Sequence, residues 1–422
     1  MNAASPAYFD ALETRPPEQR EDALMSALPK VIAHARTHAP AYAALLAEVS
    51  PGDITSREAL AALPVTRKSE LLERQKATRS RGDPFGGFAA IGWGPRGGAL
   101  RVFASPGPIY EPEGMAPDYW RGARAMYAAG FRSGDLVHNS FSYHLTPAGS
   151  MMETAAHALR CTVFPGGVGN TELQLQAAAE LGPHAYTGTP SFLKILLDKA
   201  ADLGIALPSI RKAAVSGEAL PPSLRHWFAE RGVVAYQFYA TADLGLIAYE
   251  TEAREGLVLD EQVILEIVRP GTDQTVPDGE VGEVVVTTLN PDYPLIRFGT
   301  GDLSAVLPGR CPTGRTNTRI RGWMGRADQT AKVRGMFVHP SQVADIARRH
   351  PEVSRVRLVV SGEMANDRMT LQVEVAQQAD GLSARIAETI RDVTKLRGEV
   401  VLAPPGSLPN DGKVIEDARS YE

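Results

Sequence analysis

Cysteine is nearly absent: the 422 residues contain two, Cys161 and Cys311. Two thiols cannot build a disulfide framework, and they cannot assemble a Cys-rich zinc site. Long apolar runs are missing as well. No stretch approaches the roughly 18 uninterrupted apolar residues that a membrane-spanning helix needs. The opening MNAASPAYFDALETRPPEQRED has neither a basic start nor an apolar run, so no secretion signal is read from it and a cytoplasmic location is expected. Basic excess is lacking too: 44 Lys and Arg stand against 49 Asp and Glu, a formal net charge of -5. A whole-chain electrostatic footprint for nucleic acid is therefore absent, and neither a nucleic-acid nor a membrane partner is expected. Internal repeats and low-complexity tracts are not found.

What remains is the balance of a folded protein. Hydrophobic residues make up 44% and charged ones 22%, which excludes a disordered or fibrous chain. The length favours two domains. Apolar spacing predicts helix over 22–48, broken by Pro29 and Pro40, and again at 118–129, 172–181, 191–203 and 222–231. Short apolar runs at 136–139, 161–164, 213–216 and 233–236 lie between them. Strands alternating with helices predict βαβ units and a largely parallel sheet. From 257 the runs VILEIV and EVVVTTL, separated by RPGTDQTVPDG, predict a smaller β-rich subdomain. The last hundred residues read β-α-β-β-α-β, with 331–338 strand-like and Arg334-Gly335 at a turn within it, and predict a ferredoxin-like α+β unit. The expected boundaries are 1–326 and 327–422.

Five segments carry chemistry. In Asp292-Tyr-Pro-Leu-Ile-Arg-Phe-Gly-Thr-Gly-Asp302, the carboxylate of Asp302 beside a Gly-rich turn suits a ribose diol, whose two hydroxyls can donate to one acceptor group. In Gly325-Arg-Ala-Asp-Gln-Thr-Ala-Lys-Val-Arg-Gly335, Arg326 offers a fork of donors and Asp328 sits in the linker. VSGEAL and YQFYATADLG read as strand ends running into loops, where ligands bind in parallel α/β sheets. There Gly217 admits a flat ring, Tyr239 can cover it, and Asp243 is a hard oxygen ligand for Mg²⁺. The tail Gly406-Ser-Leu-Pro-Asn-Asp-Gly-Lys413 places a lysine in an Asp-Gly turn. Finally, Ser105 opens a Ser/Gly loop between a strand and a later helix that could cradle phosphate, although Pro106, Pro108 and Pro112 remove donors. Taken singly, each segment also reads as an ordinary turn, cap or linker.

Their order is more specific. VSGEAL, YATADLG, GEVVVTTL with YPLIRFGTGDL, RCPTGRT, GRADQTAKVRGMFVHPSQV and LPNDGK follow one another as in the phenylacetate–CoA ligase branch of the AMP-forming adenylate synthetases, which the chain resembles most clearly over 213–422. The resemblance implies a large N-terminal α/β domain with a β-rich subdomain, and a small mobile α+β C-terminal domain. It implies an acid–CoA ligase that uses ATP and Mg²⁺ to make an acyl-adenylate, releases pyrophosphate, and passes the acyl group to coenzyme A as AMP leaves. By match, Asp302 holds the ribose with Arg326 assisting. Gly217, Glu218, Tyr239 and Gln237 line the adenine slot, Asp243 takes the metal, Asp328 is the hinge, and Lys413 bridges substrate carboxylate and α-phosphate. Ser105 stands at the phosphate loop, but no lysine follows, and Glu111 would meet phosphates with the wrong sign.

The small carboxylic acid is expected to be aryl or arylacetic by the same analogy. Phe141, Tyr143 and His144 in NSFSYHLTPAG are candidates for its pocket, with His144 read either as a carboxylate contact or, preferably, as a satisfied core histidine. Two other readings stay open: an adenylating enzyme with a different acceptor, and a non-catalytic or nucleotide-sensing homologue. A homodimer is allowed by the sequence.

Overall fold

The computed structural model describes residues 7–327, 329–362, 366–377, 379–409 and 413–419. The chain divides into two compact units, Met1–Met324 and Gly325–Glu422.

The first unit is built on a nine-stranded sheet. Its parallel half runs Thr162–Pro165, Leu136–Asn139, Ala185–Gly188, Lys212–Val215 and Val234–Thr241, with helices such as Ala148–Ala158, Thr171–Leu181, Pro190–Asp202 and Pro222–Glu230 as crossovers. This is the arrangement that alternating short apolar runs and amphipathic helices dictate. The sheet then turns antiparallel through Gly245–Glu250, Leu257–Leu259, Arg319–Ile320 and Val306–Leu307. A second sheet of four strands has the order Thr66–Arg67, Phe298–Ser304, Gly282–Thr288 and Val263–Val268. The β-rich part expected after 257 is thus shared between two sheets.

Two helices differ from the sequence reading. Pro29 lies inside the continuous helix Pro17–His38 instead of breaking it; Leu28 and Ile32 beside it are fully buried, and this packing outweighs the lost backbone bond. Pro40 does break the chain, opening the short helix Pro40–Leu45. The helix expected from 118 begins at Ala123. Asp118 and Arg121 adopt positive φ of 47° and 63°. Arg121 is held there by hydrogen bonds to Asp260 (3.0 Å) and to the Leu246 carbonyl (3.0 Å).

Arg297 is the anchor of the four-stranded sheet. It is fully buried, and its Nε and Nη2 donate to the two carboxylate oxygens of Glu266 at 2.9 and 3.0 Å. Its remaining donors go to the carbonyls of Ala61, Leu63 and Asp273. One side chain therefore ties the strand Val263–Val268, the segment before Thr66 and the 269–276 turn to the start of the strand that carries Asp302.

In the second unit, Val353–Ser361 and Arg368–Val375 pair antiparallel, Glu399–Ala403 adds parallel to one edge and Ile415–Asp417 to the other. Helices Pro340–Arg348 and Leu382–Thr394 pack on this sheet through Val343, Ile346, Leu382, Ile386 and Ile390. The strand expected over 331–338 does not join it. Arg334 and Gly335 take positive φ of 49° and 81°, a two-residue turn that folds Ala331–Val333 back onto Met336–Val338 as a separate hairpin. Ile415–Asp417 from the tail supplies the fourth strand of that sheet instead.

Replacing Arg297 by Ala would strand Glu266 and three carbonyls in the interior. Removing one partner of such a buried pair costs about 3–5 kcal/mol. Chemical denaturation should show a loss of that size; a loss below about 1 kcal/mol, the scale of an exposed pair, would refute the anchoring role.

Candidate active site

The strand Phe298–Ser304 carries the first element of the site. Asp302, expected in a turn, lies within this strand. Its register slips so that residues 300–302 face the single residue Val284, and Gly301 at the slip has φ 74°. A bulge of this kind re-aims side chains at a sheet edge. Thr300 Oγ1 fills the gap by donating to the Val284 carbonyl at 3.0 Å.

Asp302 is 9% exposed and already committed on both oxygens. Tyr239 Oη donates to Oδ2 at 2.8 Å, and Trp323 Nε1 donates to Oδ1 at 3.1 Å. A carboxylate can accept from several donors at once, since it offers about four lone-pair sites. Tyr239 comes from Val234–Thr241 in the other sheet, so the structure joins two residues read from separate motifs. Trp323 gave no sequence signal, and Thr300 read only as a turn residue.

The loop ends of the parallel strands supply the next group. Gly217 follows Lys212–Val215, is exposed and has φ 80°, a conformation that favours glycine. Glu218 accepts from the backbone nitrogen of Ser191 at 3.3 Å, in the first turn of Pro190–Asp202. Gln237 pairs across from Val215, and its own N–H donates to Glu250 at 3.0 Å. Glu250 is in turn gripped by both terminal nitrogens of Arg225, at 2.7 and 2.9 Å. Sheet register therefore sets Gln237 beside the strand that ends at Gly217.

The phosphate-loop expectation for Ser105 needs correction. Residues 101–113 form a hairpin, Arg101–Ser105 against Ile109–Glu113, and no helix follows directly. Ser105 is buried, and its hydroxyl donates to Glu111 Oε1 at 2.5 Å. Glu111 does not face solvent or ligand; it is fully buried. Burial, then the negative charge of Asp243, push its pKa up to about 8, against the opposing pull of Lys68. Ser105 is thus spent inside the hairpin.

Asp243 sits in the turn between Val234–Thr241 and Gly245–Glu250, 4% exposed. Lys68 Nζ donates to its Oδ2 at 2.8 Å, while Oδ1 is buried with no hydrogen-bond partner among the described residues. The metal expectation can be tested on this arrangement. Mg²⁺ demands octahedral oxygen ligation at about 2.0–2.1 Å. Here a cation already compensates the carboxylate, and no group of three or more acidic, His or Cys side chains that could hold a metal occurs among the described residues. As arranged, Asp243 does not fit a metal alongside Lys68. Lys68 itself escaped the sequence reading: 175 positions separate it from its partner.

At the proposed acyl pocket, Phe141 is buried and meets Phe238 edge-on with ring centroids 6.4 Å apart. Tyr143 is partly exposed; its hydroxyl donates to Glu153 at 2.7 Å and accepts from Asn139 at 2.8 Å. His144 is exposed, which overturns the preferred reading of it as a core histidine. His138 nearby is the buried one, 1% exposed, with Nε2 2.7 Å from Gln174 Oε1.

The second unit holds the remaining candidates. The Arg326 guanidinium lies 6.0 Å from the Phe337 ring centroid. Asp328 lies outside the described residues. Lys413 is exposed and precedes Val414, whose N–H donates to Gln329 Oε1 at 2.7 Å and whose carbonyl accepts from Leu358 at 2.9 Å.

Glu111 yields a pH prediction. Its folded pKa lies above the unfolded carboxylate value, so its contribution is fully present below pH about 4 and is lost as pH rises through about 8. Wild-type stability should fall between pH 5 and pH 9, and Glu111→Gln should flatten that slope by on the order of 2–4 kcal/mol. Parallel slopes in denaturant titrations would refute the buried, protonated Glu111.

Comparison with known proteins follows this geometry. Residues 129–290 match the AMP-binding enzyme family, and 335–417 match the AMP-binding enzyme C-terminal domain. A phenylacetate–coenzyme A ligase of Thermus thermophilus is 30% identical, over 95% of this chain and 96% of that protein. One from Aromatoleum evansii is also 30% identical, over 90% of this chain and 87% of that protein. A crystal structure of 2-hydroxyisobutyryl-CoA ligase with 2-HIB-AMP and CoA superposes with TM-score 0.83 at 26% identity, covering 100% of this chain and 94% of that one. The chain belongs to the AMP-binding enzymes, in the branch of the phenylacetate–coenzyme A ligases.

Proposed function

We propose that this chain is an ATP-dependent acid–CoA ligase. A carboxylate attacks the α-phosphate of ATP, pyrophosphate leaves, and an acyl-adenylate forms. The coenzyme A thiol then displaces AMP and leaves the acyl group as a thioester. The observation that carries the reading is the Tyr239–Asp302–Trp323 constellation, an acceptor carboxylate held rigid by two donors where the two sheets meet.

Each residue has a physical task. Asp302 accepts from the ribose hydroxyls through a carboxylate that Tyr239 and Trp323 hold in place. Gly217 lets a purine approach backbone closely, with Glu218 and Gln237 at the rim of the slot. Arg326 adds donors. Lys413 offsets the repulsion between carboxylate and α-phosphate as charge builds in the transition state. Asp328 serves as the hinge of the smaller domain. Ser105 has no part in phosphate binding.

The substrate is an aryl or arylacetic acid, supported by Phe141 and Phe238 and by the phenylacetate named for the sequence relatives. A second substrate reading is a short hydroxylated aliphatic acid. It is favoured by the acid named for the similar crystal structure and by the hydroxyls beside Phe141. Ser140 Oγ donates to Tyr186 Oη at 2.5 Å, and Tyr186 Oη donates to the Thr189 carbonyl at 3.2 Å.

Pyrophosphate release over a panel of both acid classes, with and without coenzyme A, tests the activity and chooses between the substrates. Lys413→Ala should lower adenylation by about 10²–10³, the cost of one transition-state charge contact, with ATP binding little changed. Asp302→Asn should instead weaken ATP binding by about tenfold or more, a charged hydrogen bond's share, at near-normal stability. Wild-type adenylation by the lysine variant would exclude its assigned role.

A further inference from the structure

We propose that the larger unit carries a second small-molecule site, for a phosphomonoester with an apolar or aromatic body, at the amino-terminal edge of its parallel strands. A cavity of about 830 Å³ opens there, within the size range of small-molecule pockets. Sheet register assembles its floor. The Val234 N–H donates to the Arg211 carbonyl at 2.9 Å, the Arg211 N–H to the His184 carbonyl at 3.1 Å, and the His184 N–H to the Leu136 carbonyl at 2.8 Å. Four neighbouring strands thus begin in one row, and Asp135, His184, Arg211, Lys212 and Val234 line the cavity from it. The same strands end on the other edge of the sheet, where Val215 leads into Gly217 and the candidate active site.

The polar groups of the lining divide into spent and unspent. Lys212 Nζ pairs with Asp135 at 2.6 Å and donates to the Gly130 carbonyl at 2.9 Å. Arg315 Nε lies 3.0 Å from the buried Glu13 carboxylate. Arg132 stacks 3.7 Å from the Tyr127 ring centroid, and its Nη1 donates to the Tyr127 and Phe131 carbonyls, each at 2.7 Å. Those bonds fix the guanidinium and leave its other nitrogens unspent. The Leu136 N–H donates to His184 Nδ1 at 3.0 Å, so in the neutral ring Nε2 carries the hydrogen. That N–H, the Arg211 guanidinium and the Ser209 hydroxyl have no partner among the described residues. Against Arg132 and Arg211 stands one unpaired carboxylate of the lining, Glu252, so an excess of positive charge remains. A guanidinium fork, an imidazole N–H and a hydroxyl on two adjacent strand starts suit a tetrahedral oxyanion. Val234, 42% exposed, and the Tyr236 ring line the same cavity and offer apolar surface to the body of the ligand. Because the sheet fixes the row, the donors are arranged before any ligand arrives.

This inference does not rest on the ligase reading, and its test contains no nucleotide, carboxylic acid or coenzyme A. The probes are inorganic phosphate and phenyl phosphate, titrated into the full chain by calorimetry, with phenol as the uncharged control. Wild type should bind phenyl phosphate at one site, in the millimolar range or tighter. Inorganic phosphate should bind more weakly, and phenol should give no heat. Arg211→Ala should weaken phenyl phosphate by about tenfold, the share of one charge-assisted hydrogen bond. Val234→Asp, at an exposed position, sets a negative charge on the floor and should weaken it at least as much. Asp302→Asn, at the candidate active site, should leave phenyl phosphate binding unchanged. Thermal melting checks that each variant is folded, and either of the two cavity variants suffices for the comparison. No binding by wild type would overturn the proposal, and so would binding that survives in a folded cavity variant. Binding lost in Asp302→Asn would place the probe in the nucleotide slot and overturn it as well. Equal affinity for the two phosphates would overturn the assignment of an apolar body.

Discussion

One hydrogen bond, from Tyr239 to Asp302, joins the two sheets of the larger unit at the place where chemistry is expected. Tyr239 belongs to the nine-stranded sheet and Asp302 to the four-stranded one. Both are nearly buried, so neither polar group could remain there without the other. The pairing depends on the slip at Gly301 that brings Asp302 round, and on Arg297, which holds the start of the same strand against Glu266. The carboxylate proposed to accept sugar hydroxyls is in this way part of how two sheets are fastened together.

Much of this was legible in the sequence, and the boundary of legibility is physical. The parallel strands were visible because continuous burial leaves continuous apolar runs, as in Ala213-Ala214-Val215. Asp302, Arg326 and Lys413 stand out as candidates because their motifs occur in a specific order. Three things were not visible. Pro29 was misjudged because packing of Leu28 and Ile32 is a tertiary fact that local propensity does not contain. The separation of the 331–338 hairpin from the main sheet of its unit was not visible, because a turn at Arg334-Gly335 does not say which sheet its strands join. Lys68 and Trp323 were missed because their partners lie 175 and 21 positions away and neither interaction leaves a periodic trace.

The segment 101–113 shows how a family position can keep its place in the chain and change its physics. A loop that cradles phosphate must present free backbone N–H groups. Here, paired strands use those groups on each other, Ser105 turns to Glu111, and Glu111 is buried. The charges around it, Lys68, Asp243 and Glu111, belong to three separate segments and balance largely among themselves.

The bond between Gln329 and Val414 gives the tail a property that a dangling C-terminus lacks. Residue 329 lies just past the linker, and 414 is the immediate neighbour of Lys413. The backbone next to Lys413 is therefore fastened to residue 329 of the same unit, like a flag fixed at its pole. Near that root, ordering is accomplished when the protein folds, which leaves the Lys413 side chain with only its own rotamers to fix.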